Sequence, residues 1–353
     1  MTLQEMLDSR ALPGMDFPAT ATGWWKRHME LQQLLCREAY GQLPPPPSHM
    51  TVREVMVDER FCAGKAPLCK LKLTVTLPGG QFSFPVSLVI PRSKEPCPAI
   101  VFINFRPAVP DKYLPSEELA DRGYAVASFC YRDVTEDNAD FHDGLAGVLS
   151  VDRRSSDAPG KLILWAWAAM RVLDHLRSLP EIDSRRIAVA GHSRLAKAAL
   201  LAAGLDTRFS AVLANEPGTL GGALLRGKKG EQLSDVCEAF PHFFCPRLQE
   251  YLEPGQELPF DQHFLLALIA PRRLYVASAA LDFWNDPLAE FLCCKAANMA
   301  WKSLGVPGLV CPDRLPKVGE AFTDGCLAYH LRPGEHYLSR YEWQQFLDFL
   351  DKM

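Results

Sequence analysis

The sequence predicts an α/β protein with a doubly wound, mostly parallel sheet, helices on both faces and antiparallel strands at its N-terminal edge. Three observations support this prediction. Short, almost wholly apolar runs recur along the chain, as expected for parallel strands that are buried on both faces. From residue 99 onward these runs alternate with helical patterns, as they do in βαβ units. Upstream, two alternating segments flank a Pro-Gly-Gly turn, which is typical of an antiparallel hairpin.

The N-terminal part begins with an expected amphipathic helix over residues 20–40, which ends before the proline run at 44–47. We interpret the prolines as a stiff connector. Strand patterns follow at residues 52–57, 71–77 and 82–90. We therefore predict an N-terminal helical segment with its Pro-rich connector, residues 1–50, packed on one α/β domain, residues 51–353.

The parallel part of the sheet is expected from six apolar runs and three helical patterns. The strands are predicted at 99–103, 124–131, 187–190, 211–214, 274–278 and 327–331, and the helices at 116–121, 161–179 and 342–353. Sites in such sheets form beyond the carboxyl ends of the strands. The long connections 136–159 and 220–263 are therefore candidate walls of a site.

Composition narrows the class of protein. The formal net charge is −4 and no long basic run occurs, which argues against a nucleic-acid partner. No segment has the length and apolarity of a membrane span or a signal peptide. The eleven cysteines lack zinc-site spacing and are expected to be free thiols. We expect the protein to use neither a metal nor a cofactor. We expect a cytoplasmic location, or secretion if a signal peptide was removed from this sequence.

The central motif is Gly191-His192-Ser193-Arg194-Leu195, which follows an apolar strand and precedes an Ala/Leu-rich helix. Strand, sharp turn with serine at its apex, then helix is the context of a nucleophile elbow in an α/β hydrolase. The helix N-terminus would stabilise a developing oxyanion. The usual second glycine of the motif is Leu195, and the alternative reading is a turn in which Ser193 caps a helix.

A nucleophilic serine needs a base, and nine histidines are present. His336 lies in a turn after the last predicted strand, where the base of an α/β hydrolase belongs. His192 is expected to point away from Ser193. The alternative for His336 is a surface loop residue.

Two acids have suitable positions to orient the histidine. Glu216 follows the strand 211–214, and Asp282 follows the strand 274–278. Each alone could equally be a turn or helix-cap residue. Asp286 before Pro287 is better explained as an N-cap with proline in the first helical turn.

From about Ala99 to the C-terminus the chain resembles the glucuronoyl esterases, a carbohydrate esterase family with the α/β-hydrolase fold, and its bacterial branch in particular. The blocks that carry the resemblance are Gly191–Lys197, Glu216–Gly222, Ala239–Cys245, Leu258–His263 and Asp282–Pro287. The family's glycine before the lysine is Ala196 here. Its glycine-containing loop is replaced by Asn104–Pro107, which leaves the second oxyanion donor open.

The resemblance implies a catalytic triad and an oxyanion contact. It implies Ser193 as nucleophile and His336 as base. Members differ in the position of the acid, and this chain has a carboxylate at both positions. We favour Glu216 slightly and treat Glu216 and Asp282 as redundant. The backbone N–H and the guanidinium of Arg194 would hold the oxyanion.

The resemblance implies that three further residues contact the sugar of the substrate. Lys197, one helical turn after the serine, would donate to sugar hydroxyls. Glu231 would accept hydrogen bonds from hydroxyls, and Trp284 would donate or stack. The alternatives are a solvated charge for Lys197 and for Glu231, and core packing for Trp284.

Together with the Ser-His-acid pattern, the resemblance implies a cofactor-independent serine esterase that cleaves esters of glucuronic or 4-O-methyl-glucuronic acid on xylan-derived saccharides. One alternative is an acetyl-xylan or other small acyl-ester esterase. An alternative from another class is a carbohydrate-binding protein that keeps the hydrolase fold without turnover. The expected partner is a small-molecule or oligosaccharide uronate ester. Neither nucleic acid nor a membrane is expected, and the oligomeric state is not predicted.

Overall fold

The computed structural model describes residues 2–18 and 20–352. Within these residues ten strands form one sheet, in the order β1-β2-β3-β5-β4-β6-β7-β8-β10-β9. The strands are β1 His49–Asp58, β2 Leu68–Leu77, β3 Gly80–Val89, β4 Cys97–Asn104, β5 Ala125–Cys130, β6 Ile182–His192, β7 Ala211–Asn215, β8 Arg273–Ala279, β9 Ala321–Phe322 and β10 Leu327–Arg332.

The pairing confirms the predicted sheet. Strands β4 to β8 and β10 are mutually parallel, whereas β1, β2 and β3 form an antiparallel meander at one edge, and β9 pairs antiparallel at the other. The predicted strands lie within two residues of the observed ones at most ends. The largest differences are at β6, which begins five residues before the apolar run 187–190, and at β1 and β2, which each begin three residues before the predicted strand.

The helices flank the sheet on both faces. They are α1 Leu3–Asp8, α2 Ala21–Leu35, α3 Ser116–Asp121, α4 Gly144–Val148, α5 Lys161–Leu176, α6 Arg194–Leu205, α7 Leu233–Ala239, α8 His263–Ala267, α9 Pro287–Ala297, α10 Met299–Lys302 and α11 Arg340–Leu350. A π-helical turn, Cys36–Tyr40, extends α2, and the predicted helix 20–40 comprises both. In the described part of the chain, every helix is too short or too polar to cross a lipid bilayer.

Alternation along the strands separates two apolar cores. In β4, Val101 and Ile103 pack in the cluster that contains the side chains of α2, α5, α6, α8 and α9. Ile100 and Phe102 pack in a second cluster with α3 and α11. Because successive side chains of a strand point to opposite faces, both faces of the parallel strands must be apolar, which is why these strands read as unbroken apolar runs.

The carboxyl ends of the parallel strands meet at one edge of the sheet. Ser193 follows β6, Glu216 follows β7, Asp282 lies three residues after β8, and His336 lies four residues after β10. The pairing register aligns Gly191 with Ala214 and so brings the first two turns side by side. The topology therefore gathers the residues that the sequence singles out.

Candidate active site

Ser193 is at the apex of a strained turn between β6 and α6. Its backbone has φ 58° and ψ −128°, a conformation that is costly for a residue with a side chain. Its N–H donates to Asn215 O at 2.9 Å, which ties the turn to β7. A Cβ on Gly191 would lie 2.2 Å from Leu195 O, so the first turn of the helix folds back onto the strand where only glycine fits. This is the geometry of a nucleophile elbow, despite Leu195 in place of the second glycine.

His336 lies in the loop between β10 and α11, and its Nδ1 contacts both candidate acids. The distances are 2.7 Å to Asp282 Oδ2 and 2.9 Å to Glu216 Oε2. Asn285 Nδ2 donates to the same Asp282 oxygen at 2.7 Å. With Nδ1 held by carboxylates, the remaining ring nitrogen, Nε2, is the one that can take a proton from a nucleophile.

Charge within this cluster is distributed unequally. Burial alone would lower the pKa of His336, but its hydrogen bonds to Asp282 and Glu216 outweigh burial and raise that pKa to about 9. Burial would raise the pKa of Asp282, yet the hydrogen bond with His336 leaves it lowered. For Glu216 burial prevails over the contact with His336 and raises the pKa to about 7. Asp282 is therefore the more firmly ionised acid, and the slight preference for Glu216 as the working acid stays a prediction.

His192 lies beneath the imidazole of His336, with the two ring centroids 4.5 Å apart. It is buried, its Nδ1 is 2.8 Å from Asn215 Nδ2, and burial lowers its pKa to about 3, so its ring is neutral. Among the described residues, the ligand atoms of His192, Glu216 and His336 lie within 4.8 Å of one another, as in a metal site. However, Glu216 already accepts from Arg332 and from the N–H of Tyr337, and the Arg332 cation opposes a metal ion there.

Arg194 is held in place by residues of both predicted site walls. Its Nη1 donates to Asp137 Oδ2 at 2.5 Å, and Asp137 also contacts His242 Nε2 at 2.9 Å. The guanidinium lies over the ring of Phe240 at 4.7 Å and that of Phe243 at 5.3 Å. Burial would raise the pKa of Asp137, but the hydrogen bond with His242 and the charge of Arg194 lower it to about 2. A fixed cation therefore stands beside Ser193.

The two backbone N–H groups that could bind the oxyanion, those of Arg194 and Phe105, differ in whether they already have an acceptor. The N–H of Arg194 is the first of α6, where backbone N–H groups have no acceptor within the helix. In the loop after β4, the N–H of Phe105 donates to Asn104 Oδ1 at 2.8 Å. The replacement of the glycine-containing loop therefore leaves this N–H already satisfied, and Arg194 carries the candidate oxyanion contacts.

Lys197 makes backbone contacts that were not predicted, and its contact with a sugar stays a prediction. It is buried, and its Nζ donates to Pro217 O and to Thr219 O, both at 2.6 Å. Burial lowers its pKa to about 8. Lys197 thus ties down the loop after Glu216 while it also lines the cavity, and the reading as a solvated charge is wrong.

Glu231 and Trp284 form a pair at the mouth of the site. Trp284 Nε1 donates to Glu231 Oε1 at 3.2 Å, and the backbone N–H of Glu231 donates to Trp284 O at 2.7 Å. Trp284 is 58% exposed, whereas Glu231 is buried. Core packing for Trp284 and a solvated charge for Glu231 are therefore both wrong, and the indole offers an open face for stacking.

These residues surround one cavity of about 270 Å³. It is lined by Ser193, Arg194, Lys197, Glu231, Val236, Phe240, Phe243, Asp282, Trp284, Asn285 and His336. The structure thus brings together seven of the eight predicted site residues on its wall, and the eighth, Glu216, lies behind His336. Segment 220–263 supplies part of the wall, as expected. Asp286 caps α9 through its contact with Ala289 N at 3.1 Å, which confirms its structural reading.

Sequence reasoning missed four residues that shape the site: Asp137, His242, Asn285 and Arg332. Asp137 and His242 are 105 positions apart, and no periodic pattern connects them. Arg332 is the last residue of β10, and a charged residue at the end of a buried strand was the available signal.

A Ser–His–acid arrangement at the carboxyl edge of this sheet defines the α/β-hydrolase fold class. A family model described as "Glucuronyl esterase, fungi" matches residues 73–305. The chain belongs to the glucuronoyl esterase family.

Individual relatives agree with this membership. The chain is 34% identical over 246 residues to a carbohydrate esterase named MZ0003 from an unknown prokaryotic organism, covering 67% of this chain and 55% of the relative. It is 30% identical over 294 residues to a 4-O-methyl-glucuronoyl methylesterase of Podospora anserina, covering 80% of this chain and 56% of the relative. The chain thus spans a little over half the length of these curated relatives.

Solved structures cover almost the whole chain. A glucuronoyl esterase from Solibacter usitatus is similar with a TM-score of 0.88 and 28% identity, covering 97% of both chains. A CE15 glucuronoyl esterase from Teredinibacter turnerae is similar with a TM-score of 0.89 and 27% identity, covering 98% of this chain and 90% of that one.

Proposed function

We propose that the protein is a serine carboxylic-ester hydrolase that cleaves esters of glucuronic or 4-O-methyl-glucuronic acid on saccharides. The observation that carries this proposal is the composition of the cavity. It is lined by Ser193 and His336 together with cationic, acidic and aromatic side chains suited to a sugar acid. The names of the relatives, which include 4-O-methyl-glucuronoyl methylesterases, support the same substrate class.

In the proposed reaction His336 Nε2 removes the proton from Ser193 Oγ, and the oxygen attacks the ester carbonyl carbon. The negative charge that develops on the carbonyl oxygen is stabilised by the N–H and guanidinium of Arg194. His336 then donates its proton to the departing alcohol. Water, deprotonated by the same imidazole, hydrolyses the acyl-enzyme and releases the uronic acid.

The sugar contacts follow from the lining. The ring of a uronyl ester carries hydroxyl groups on the acyl side of the ester bond, and the buried Glu231 can accept hydrogen bonds from them. The exposed face of Trp284 can stack on the ring, and the Lys197 ammonium has one N–H beyond its two backbone contacts. These groups distinguish a uronate ester from a simple acetyl ester, which has no sugar on the acyl side.

The test compares hydrolysis of benzyl glucuronate with that of an aryl acetate, using Ser193→Ala as control. We expect a preference for the uronate ester that disappears in Ser193→Ala while the folded structure is retained. Turnover of the acetate alone would keep the serine mechanism and discard the uronate assignment. Turnover that survives Ser193→Ala would contradict the mechanism, and binding of glucuronate without any turnover would indicate a carbohydrate-binding protein.

A cytoplasmic location is part of this proposal. Its support is chemical: the eleven cysteines form no disulfide, which suits a reducing compartment. Fractionation of the native cells checks it, and recovery of the protein outside the cell would contradict it.

A further inference from the structure

Arg332, the last residue of β10, contacts both the acid and the loop that carries the histidine. It is 7% exposed. Its Nη2 donates to Glu216 Oε1 at 2.9 Å and to the carbonyls of Glu335 and Tyr337 at 2.9 and 2.6 Å. Its Nη1 donates to Pro333 O at 2.9 Å. One guanidinium thus binds the backbone on both sides of His336 as well as one of its carboxylate partners.

The opposite side of the guanidinium is anchored to α11. Arg332 Nε donates to Glu342 Oε1, and Glu342 is fully buried. The other oxygen of Glu342 accepts from the N–H of Ser339 at 2.6 Å and from its hydroxyl at 2.5 Å, which caps the helix. The arginine is therefore fixed to a helix end and has little freedom to move.

We propose that Arg332 is a positioning residue for the triad: it fixes loop 333–337 around the His336 imidazole and favours the charged form of the adjacent Glu216 carboxylate. This inference rests on the proposed function of Ser193 and His336. Five donors in a planar fork can hold several oxygens in fixed directions, which a flexible ammonium cannot do. Small displacements of a catalytic group, of about 1 Å, can cost about a hundredfold in rate.

The electrostatic part of the inference depends on a crowded set of charges. The groups around Glu216 and Arg332 are His192 of β6, Asp282 after β8, Glu290 of α9, His330 of β10, His336 of the loop and Glu342 of α11. Three of these six groups are carboxylates, and Glu216 itself is a fourth. Arg332 is the cation in direct contact with Glu216, so it stabilises the state in which both triad carboxylates are charged and His336 is neutral.

The first experiment measures pH profiles of kcat/KM for Arg332→Met and Arg332→Lys. In Arg332→Met the triad loses a nearby positive charge, so it binds a proton more readily, and we expect the acidic limb of the kcat/KM profile to move to higher pH by about one unit. Because the loop around His336 is no longer held, we expect kcat to fall about a hundredfold. Arg332→Lys keeps the charge but not the fork. For this variant we expect the midpoint of the acidic limb to stay within about 0.3 pH units of its value in the unmodified protein, whereas kcat still falls about tenfold.

A matched control is Arg272→Met, at the amino-terminal end of strand β8. Arg272 also binds backbone carbonyls, with contacts to Ala203, Asp206, Phe209 and Leu268. It precedes β8, whereas the site follows that strand. We expect this variant to lower the unfolding temperature without moving the acidic limb. A comparable limb shift in Arg272→Met would show that the effect is a general loss of structure.

The second experiment combines Arg332→Met with Glu216→Gln. If Arg332 acts on the charge of Glu216, the upward shift of the limb disappears in the Gln background. A shift of the same size there, or wild-type kcat in Arg332→Lys, would overturn the inference. Failure of the proposed function is a separate outcome, because it is read from Ser193→Ala and from the choice of ester.

Discussion

At the scale of single residues, the unusual feature is that two carboxylates share one nitrogen of His336. In a triad with one acid, removal of that acid costs about 10⁴-fold in kcat. Here each acid can orient the ring when the other is lost, because both lie within 2.9 Å of Nδ1. Asp282 is the more firmly charged of the two, since burial raises the pKa of Glu216 to about 7.

We therefore expect Asp282→Asn to lower kcat/KM by about a hundredfold, Glu216→Gln by about tenfold, and the double variant by about 10⁴-fold. Both anions raise the pKa of His336, so removal of either lowers that pKa and moves the acidic limb of kcat/KM to lower pH. This is the opposite direction from that expected for Arg332→Met. Steady-state kinetics from about pH 5 to about pH 11, a range that includes both the ordinary histidine pKa and the raised pKa of His336, check both statements.

The prediction has a clear contrary result. Loss of all activity in Glu216→Gln together with full activity in Asp282→Asn would show that Glu216 is the single working acid. An acidic limb at or below the ordinary histidine value of about 6.5 in the unmodified protein would contradict the raised pKa.

At the scale of elements, the close contact of β6 with α6 sets the position of the nucleophile. A methyl group on Gly191 would lie 2.2 Å from Leu195 O, a backbone atom that cannot turn away. We expect Gly191→Ala to lower the free energy of unfolding by about 3 kcal/mol and to reduce kcat more than KM changes, because the serine is displaced. Chemical denaturation and steady-state kinetics measure the two effects.

Gly204 lies in α6, the helix that Gly191 contacts, and provides the matched control. A Cβ there would be 3.4 Å from the Leu268 side chain, an ordinary contact. Since alanine is a better helix former than glycine, we expect Gly204→Ala to keep full activity and to gain up to about 1 kcal/mol. Equal losses in both variants would mean that the elbow has no special demand for glycine at position 191.

The sequence predicts features that depend on neighbouring residues better than contacts between residues that are far apart in the chain. The apolar run before Ser193 and the turn around His336 are local, and both were located correctly because strand periodicity and turn chemistry act over a few residues. The bonds from Arg194 to Asp137 and from Asp137 to His242 join segments far apart in the chain, and only the folded structure reveals them. Lys197 shows the same limit, since its two carbonyl partners depend on the path of a loop.

At the scale of the whole molecule, the N-terminal segment is part of the structure that supports the site. The Tyr40 hydroxyl lies 3.0 Å from Leu220 O and 2.9 Å from Gln262 Oε1, and Leu220 belongs to the loop after Glu216. Trp24 is fully buried, and its Nε1 donates to Ala300 O at 3.3 Å. Buried side chains from both predicted parts, the segment 1–50 and the domain 51–353, belong to one apolar cluster, and the division itself stays a prediction.

This shared core predicts one cooperative unfolding transition. Trp24→Ala should lower the free energy of unfolding by about 3 to 5 kcal/mol, because it leaves a large cavity between α2 and the rest of the core. Its neighbour Trp25 is 47% exposed, so Trp25→Ala should change stability by less than about 1 kcal/mol. The measurement follows circular dichroism and esterase activity together during urea denaturation. If the N-terminal segment unfolded separately from the rest of the chain, esterase activity in Trp24→Ala would persist after a first circular dichroism transition. A core that is continuous from residue 24 to the triad requires instead that circular dichroism and activity are lost at the same urea concentration.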